Sequence, residues 1–124
     1  MRVTRLYTGD DGETHFEEIP VSLKHNDLGG FSRRLGATGL VFRVTPEAYD
    51  YDWHPAPRRQ FILNINGEVD IESGGGETRR FGPGTLIFAE DLSGRGHRSR
   101  DIVGPRQQVF ITVPDDFDLN ALRP

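Results

Sequence analysis

Gln60-Phe61-Ile62-Leu63-Asn64-Ile65-Asn66-Gly67-Glu68-Val69-Asp70-Ile71-Glu72 sets two strand-like runs on either side of an Asn-Gly pair. Its first half suits a pleated strand, and alternation puts Gln60, Ile62 and Asn64 on one face and Phe61, Leu63 and Ile65 on the other. Both faces carry bulky apolar groups, so both are expected to be covered. Asn66-Gly67 reads as the tight turn of a hairpin, because these two residues accept a left-handed backbone most easily. Glu68 to Glu72 alternates polar and apolar, the pattern of a strand with one wet face.

On either side of this stretch the same signals recur at short spacing. Thr14 to Ile19 reads as a strand stopped by Pro20, Phe31 to Leu35 as a short extended segment, and Leu40 to Thr45 as a clear strand ended by Pro46. Gly74-Gly75-Gly76 closes a hairpin onto Thr78 to Phe81. It is not a phosphate cradle, since neither a helix nor a lysine follows it. Leu86 to Ala89, His97 to Val103 and Gln107 to Val113 complete the strands. Only Asp115 to Leu122 has helical character, with Asp115 as its cap. Short strands with few helices predict an all-β sandwich or barrel.

Composition bounds the rest. The chain has 124 residues, fifteen glycines, eight prolines, no cysteine and a net charge of −4. That length predicts one domain, 1–124, with a core barrel over about 38–114, N-terminal strands packed on it or swapped to a partner, and a short C-terminal tail. Without cysteine there is neither a disulfide nor a thiolate metal site. The first residues, Met1 to Leu6, lack an apolar run, so no signal peptide is expected, and no run is long enough to span a membrane as a helix. A cytoplasmic location is the matching expectation. The negative charge argues against nucleic acid as a partner. Arg95, His97, Arg98 and Arg100 read as an alternating solvated strand face, with His97 also a candidate for the site.

The chemistry-bearing residues cluster between Tyr51 and His97. His54-Pro55-Ala56-Pro57-Arg58-Arg59-Gln60 leads to Gly67, and Phe81-Gly82-Pro83-Gly84 leads to Gly94-Arg95-Gly96-His97. If the strand through Gln60 begins at His54, then His54, Ala56, Arg58 and Gln60 share a face. His97, Ser99 and Asp101 likewise share one. This pair of blocks resembles the two motifs of the cupin superfamily. The resemblance implies a small antiparallel β-barrel of the double-stranded β-helix or jelly-roll type. Residue by residue, His54 falls on the first motif histidine, Ala56 on the second, Gln60 on the glutamate and Gly67 on the closing glycine. In the second motif His97 falls on the histidine and Asp101 on the final asparagine. Two ligand positions of the first motif therefore lack the family residue.

An amide oxygen is a poorer metal donor than a carboxylate, and alanine is none. No tightly bound metal is expected on that ground. The alternative keeps His54, Gln60 and His97 as ligands of iron, manganese, nickel or zinc. A barrel of this kind encloses room for one small molecule. Three functions stand open. The first is an isomerase, cyclase or lyase in which His54 or His97 moves a proton and Gln60, Arg58 and Trp53 bind the substrate. The second is a metal-dependent oxygenase or isomerase, and the third a non-catalytic metabolite sensor. Arg58 could grip a carboxylate or phosphate, or pair at the rim with Asp50, Asp52 or Glu90. Trp53 lines the mouth or packs in the core. His15 and His25 have no ligand partners in sequence. The uncovered face of Phe61, Leu63 and Ile65, with Phe16 and Ile19 as candidate covers, predicts a homodimer.

Overall fold

The computed structural model describes residues 1–124. It is all-β, with ten strands and no α-helix. In order these are β1 (Arg2–Thr8), β2 (Thr14–Pro20), β3 (Lys24–Asn26), β4 (Gly29–Phe31), β5 (Gly39–Val44), β6 (Asp50–His54), β7 (Gln60–Ser73), β8 (Thr78–Phe81), β9 (Leu86–Glu90) and β10 (His97–Thr112). A single 3-10 turn, Leu119–Leu122, follows. β3 and β4 form a separate hairpin. The other eight strands form one mixed sheet in the order β2-β1-β9-β7-β10-β5, with β6 on β10 and β8 on β7. The hydrogen-bonded ladder has free edges and does not close into a barrel. No helix is long and apolar enough to cross a membrane.

Two long strands organise everything else. β7 and β10 pair with each other along most of their lengths, and both change register at the same place. On β7 this is Gly67, with φ +79. On β10 it is the segment between Asp101 and Gln108. The strands pass there from one panel of the sheet to another, as strands do at the corners of sandwiches. One panel holds β2, β1, β9, the first half of β7, the second half of β10, and β5. The other holds β8, the second half of β7, the first half of β10, and β6. Leu6 and Ile87 of the first panel pack with Val69, Ile71 and Phe81 of the second, so the panels lie face to face. The side-chain phase flips at the corner. Gln60 and Ile62 point inward before it, and Val69 and Ile71 after it.

The expected hairpin at Asn66-Gly67 is therefore corrected. The left-handed backbone is present, but the flanking runs pair with β10 and not with each other. A Cβ on Gly67 would lie 2.5 Å from the Val103 carbonyl oxygen, so glycine is required. Asn64 ties down the matching break between β8 and β9, donating from Nδ2 to Gly67 O at 2.9 Å and Gly82 O at 3.0 Å. The Gly74-Gly75-Gly76 turn closes the β7–β8 hairpin as expected, with Gly76 N donating to Ser73 O at 3.0 Å. Three further expectations change. The strand does not run unbroken from His54, because Pro55 and Pro57 withdraw donors and β7 begins only at Gln60. Phe31 to Leu35 leaves the sheet after Phe31. The tail is capped by Asp118, not Asp115, and makes only one 3-10 turn.

That tail covers the outer face of the first panel. Phe88 is fully buried, with the ring of Phe61 at 4.7 Å and that of Phe117 at 5.5 Å. Val3, Ile19, Val113, Leu119 and Leu122 complete this outer core. Burying each large apolar side chain contributes about 1.5–3 kcal/mol. Phe61 and Ile19 thus meet within one chain, and β1–β2 packs on its own sheet. The rest of this face is open. Phe42, Val109 and Leu63 form one cross-strand row, and Leu40, Phe42, Val44 and Ile65 are exposed.

Candidate functional site

Between the panels lies a cavity of about 450 Å³. Its apolar wall is Leu6, Ile62, Ile71, Ile87, Ala89 and Phe110. Its polar wall includes Arg43, Tyr49, Tyr51, His54, Gln60, His97, Ser99, Arg106 and Gln108. His54, Gln60 and His97 therefore share one cavity, by a route other than a common strand. β6 pairs with the first half of β10, and the half of β7 that carries Gln60 pairs with the second half of β10, on the other panel. The short link 55–59 joins them across the gap, with Ala56 N donating to Asp91 O at 3.0 Å. Ala56 is buried and carries no donor atom, as its residue type dictates.

His97 stands directly opposite His54 in the β6–β10 ladder, and the ring centroids are 4.5 Å apart. Gly96 makes this approach feasible. Its φ is +73, and a Cβ there would meet the His54 carbonyl oxygen at 2.0 Å. Each imidazole is anchored through Nδ1. His54 Nδ1 donates to Asp52 O at 2.7 Å. His97 Nδ1 donates to Asp91 Oδ2 at 2.6 Å, and Thr14 Oγ1 donates to the same oxygen at 2.8 Å. Anchoring at Nδ1 leaves Nε2 as the free nitrogen on both rings.

Asp91 is fully buried, and its Oδ1 has no hydrogen-bond partner. His97 is buried beside it, whereas His54 is half-buried with Tyr51 edge-on at 4.2 Å. Burial holds His54 below the ordinary imidazole range, with His97 and Arg43 pushing the same way and the Asp52 carbonyl and the Asp91 charge opposing. His54 is thus a neutral base near neutrality. Gln60 is buried too, and its Oε1 lacks a partner.

The arginine of the cavity is not the expected one. Arg58 is exposed and borders an outer pocket with Leu92 and Asp115, while Glu90 pairs with Arg5 and Arg59 instead. The link with two prolines turns Arg58 away from the interior. Arg43 and Arg106 line the cavity in its place. Arg106 donates from Nε to Asp101 Oδ1 at 2.5 Å, and Thr45 Oγ1 donates to Asp101 Oδ2 at 2.7 Å. Asp101 therefore braces the corner and does not face His97. Trp53 lies outside the cavity, with the guanidinium of Arg95 at 4.4 Å and that of Arg98 at 5.3 Å from its ring. Arg95 pairs with Glu13 and Arg98 with Glu72 at the surface, whereas His97, expected on the same solvated face, is buried in the cavity wall instead. His15 pairs with Asp11 at 2.8 Å, and His25 is exposed on β3.

No group of three or more histidine, cysteine, aspartate or glutamate side chains is arranged so that it could hold a metal ion. Sequence reasoning missed Asp91, Arg43 and Arg106. Asp91 sits six residues before His97 in no local motif, and Arg106 is buried only because β10 changes phase. Arg43 had a usable signal, since it alternates inward on β5 and pairs with Gln108. No protein-family model matches the chain, and no curated protein matches it significantly.

Proposed function

We propose that this chain is a small cupin-like protein that binds an organic molecule between its panels and moves a proton on it, as an isomerase, cyclase or lyase. The observation that carries this reading is the Asp91–His97–His54 cluster, with two anchored imidazoles opening onto an apolar-walled cavity. A buried carboxylate against Nδ1 fixes the tautomer and offsets the charge that His97 gains when Nε2 takes a proton. His54 lacks a carboxylate and is kept neutral, so the two rings differ in environment as an acid–base pair must. A proton removed by one can be returned by the other at a neighbouring atom. Gln60 supplies a hydrogen bond to the substrate. The apolar wall excludes water and strengthens each of these interactions.

The cupin reading has two supports. His54, Gln60 and His97, which match family positions, line one cavity, and the sheet folds into two facing panels around it. A metal-dependent alternative has one observation in its favour. Imidazoles held through Nδ1 with Nε2 free are oriented as metal ligands are. The donor set falls short, however, because Gln60 is neutral and Asp91 is committed to His97 and Thr14. The chemistry proposed here therefore uses no metal.

The test is deuterium exchange. Protein prepared without chelator or nickel resin is incubated in D2O with a panel of small carbonyl and carboxylic compounds, and carbon-bound hydrogens are followed by proton NMR. Exchange that persists in chelator and disappears in His97→Asn supports the proposal. Exchange abolished by chelator, with stoichiometric metal found by elemental analysis, replaces it with the metal-dependent reading. Compounds that raise the melting temperature without exchange or turnover identify a sensor.

A further inference from the structure

We propose that the ligand is a small monocarboxylate with an apolar body, its carboxylate held by Arg43. The inference rests on the reading of the cavity as a binding site. It starts from the charges along the wall. Arg106 is neutralised by Asp101 at 2.5 Å, with both side chains almost wholly buried. The Asp91 carboxylate sits behind His97 and is engaged by it. His54 is held neutral by burial. Arg43 is the remaining charge, and no acid pairs with it. Its hydrogen bond is from Nη1 to Gln108 Oε1, at 3.2 Å.

Arg43 is half-buried, with its guanidinium 4.9 Å from the Tyr49 ring and 5.7 Å from the Phe110 ring. Aromatic faces fix the plane of the guanidinium and leave its edge donors for a planar partner. A partly desolvated cation without a counter-ion is costly, and an anion from solution offsets that cost. A single uncompensated charge suits a monoanion. A phosphate dianion would bring a second negative charge with no cation to meet it. Ile62, Ile71 and Ile87 form the apolar wall of the same cavity and suit a hydrocarbon or aromatic body.

The probes are phenylacetate, its neutral isostere phenylacetamide, and inorganic phosphate, each titrated calorimetrically into the full chain. Phenylacetate should bind at least about tenfold more tightly than phenylacetamide, and phosphate more weakly than both. Arg43→Met should erase the acid–amide difference, and Arg43→Lys should keep part of it because its charge remains but its fork is lost. Circular dichroism melts confirm that each variant is folded, and Arg43→Lys carries the test if Arg43→Met is not. Equal binding of acid and amide by the native chain overturns the carboxylate assignment and leaves the cavity reading standing. Phosphate binding as tight as phenylacetate overturns it in favour of a general anion site. A wild-type preference for the acid that persists unchanged in Arg43→Met assigns the carboxylate to another group. No binding of these probes, or of any compound in the wider exchange panel, overturns the cavity reading itself.

Discussion

Replacing Asp91 tests the site most directly, because one carboxylate oxygen serves two buried donors. Asp91 Oδ2 accepts from His97 Nδ1 at 2.6 Å and from Thr14 Oγ1 at 2.8 Å, and Thr14 is fully buried. Asp91→Ala leaves both donors unpartnered, at about 1–3 kcal/mol each. Losing the buried charge, with its unpartnered Oδ1, offsets part of that cost. The net loss should be about 2–4 kcal/mol. Asp91→Asn keeps the shape and one acceptor, so it should lose only about 1–2 kcal/mol. Urea denaturation gives both values, and melting should fall by roughly 3–5 °C per kcal/mol for a chain of this size. Thr14→Ala combined with Asp91→Ala should cost less than the sum of the singles, since they share one bond. Nitrogen chemical shifts of His97 should report a proton on Nδ1 in the native protein and a mixture of tautomers in Asp91→Ala. Asp91→Ala within about 0.5 kcal/mol of the native protein, or less destabilised than Asp91→Asn, would refute the argument.

Three further outcomes follow from other parts of the fold. Burial lowers the His54 pKa in the folded state, so below the ordinary value of 6.5 the unfolded chain binds that proton first. Its contribution is therefore complete above that value and is lost as pH falls from it toward the lowered folded one. The native protein should lose more stability across this window than His54→Gln, and equal pH slopes would contradict the assignment. Arg106→Met leaves Asp101 buried without its cation and should cost about 3–5 kcal/mol in denaturation experiments, whereas a loss under 1 kcal/mol would show that the corner tolerates the charge. We propose that the expected homodimer would form through the open row of Leu40, Phe42 and Val44 on edge strand β5, since Phe61 is covered within the chain. Phe42→Asp should turn a dimer into a monomer by light scattering without unfolding it, and a native protein already monomeric at micromolar concentration would falsify the dimer.

The strands were legible wherever β-branched runs met glycine or proline, as at Leu40 to Val44 and around Gly74-Gly75-Gly76. The meeting of His54, Gln60 and His97 was legible too, but for a reason that does not hold, since Pro55 and Pro57 break the strand assumed to join the first two. Asn66-Gly67 shows the limit of local signals. The residues specify a left-handed backbone, and only distant pairing with β10 decides whether it becomes a turn or a corner. β1 was missed because Arg2 to Tyr7 alternates charge with apolar residues and pairs in parallel with β9, a contact far away in the chain. Asp91 stayed hidden for the same reason. Its role depends on a loop that folds back against the end of β6.

The corner at Gly67 and Arg106 has a mechanical consequence. Both panels are drawn from the same two strands, so they resemble covers hinged on a common spine. They cannot slide past each other, and a ligand that widens the cavity must flex that spine. Arg106, Asp101 and Thr45 act there as a clasp, joined through Arg106 N to Thr45 Oγ1 at 2.7 Å. The width of the cavity is therefore set from its back edge. Substitutions in the clasp should alter which sizes of molecule fit, even where every side chain of the apolar wall is unchanged.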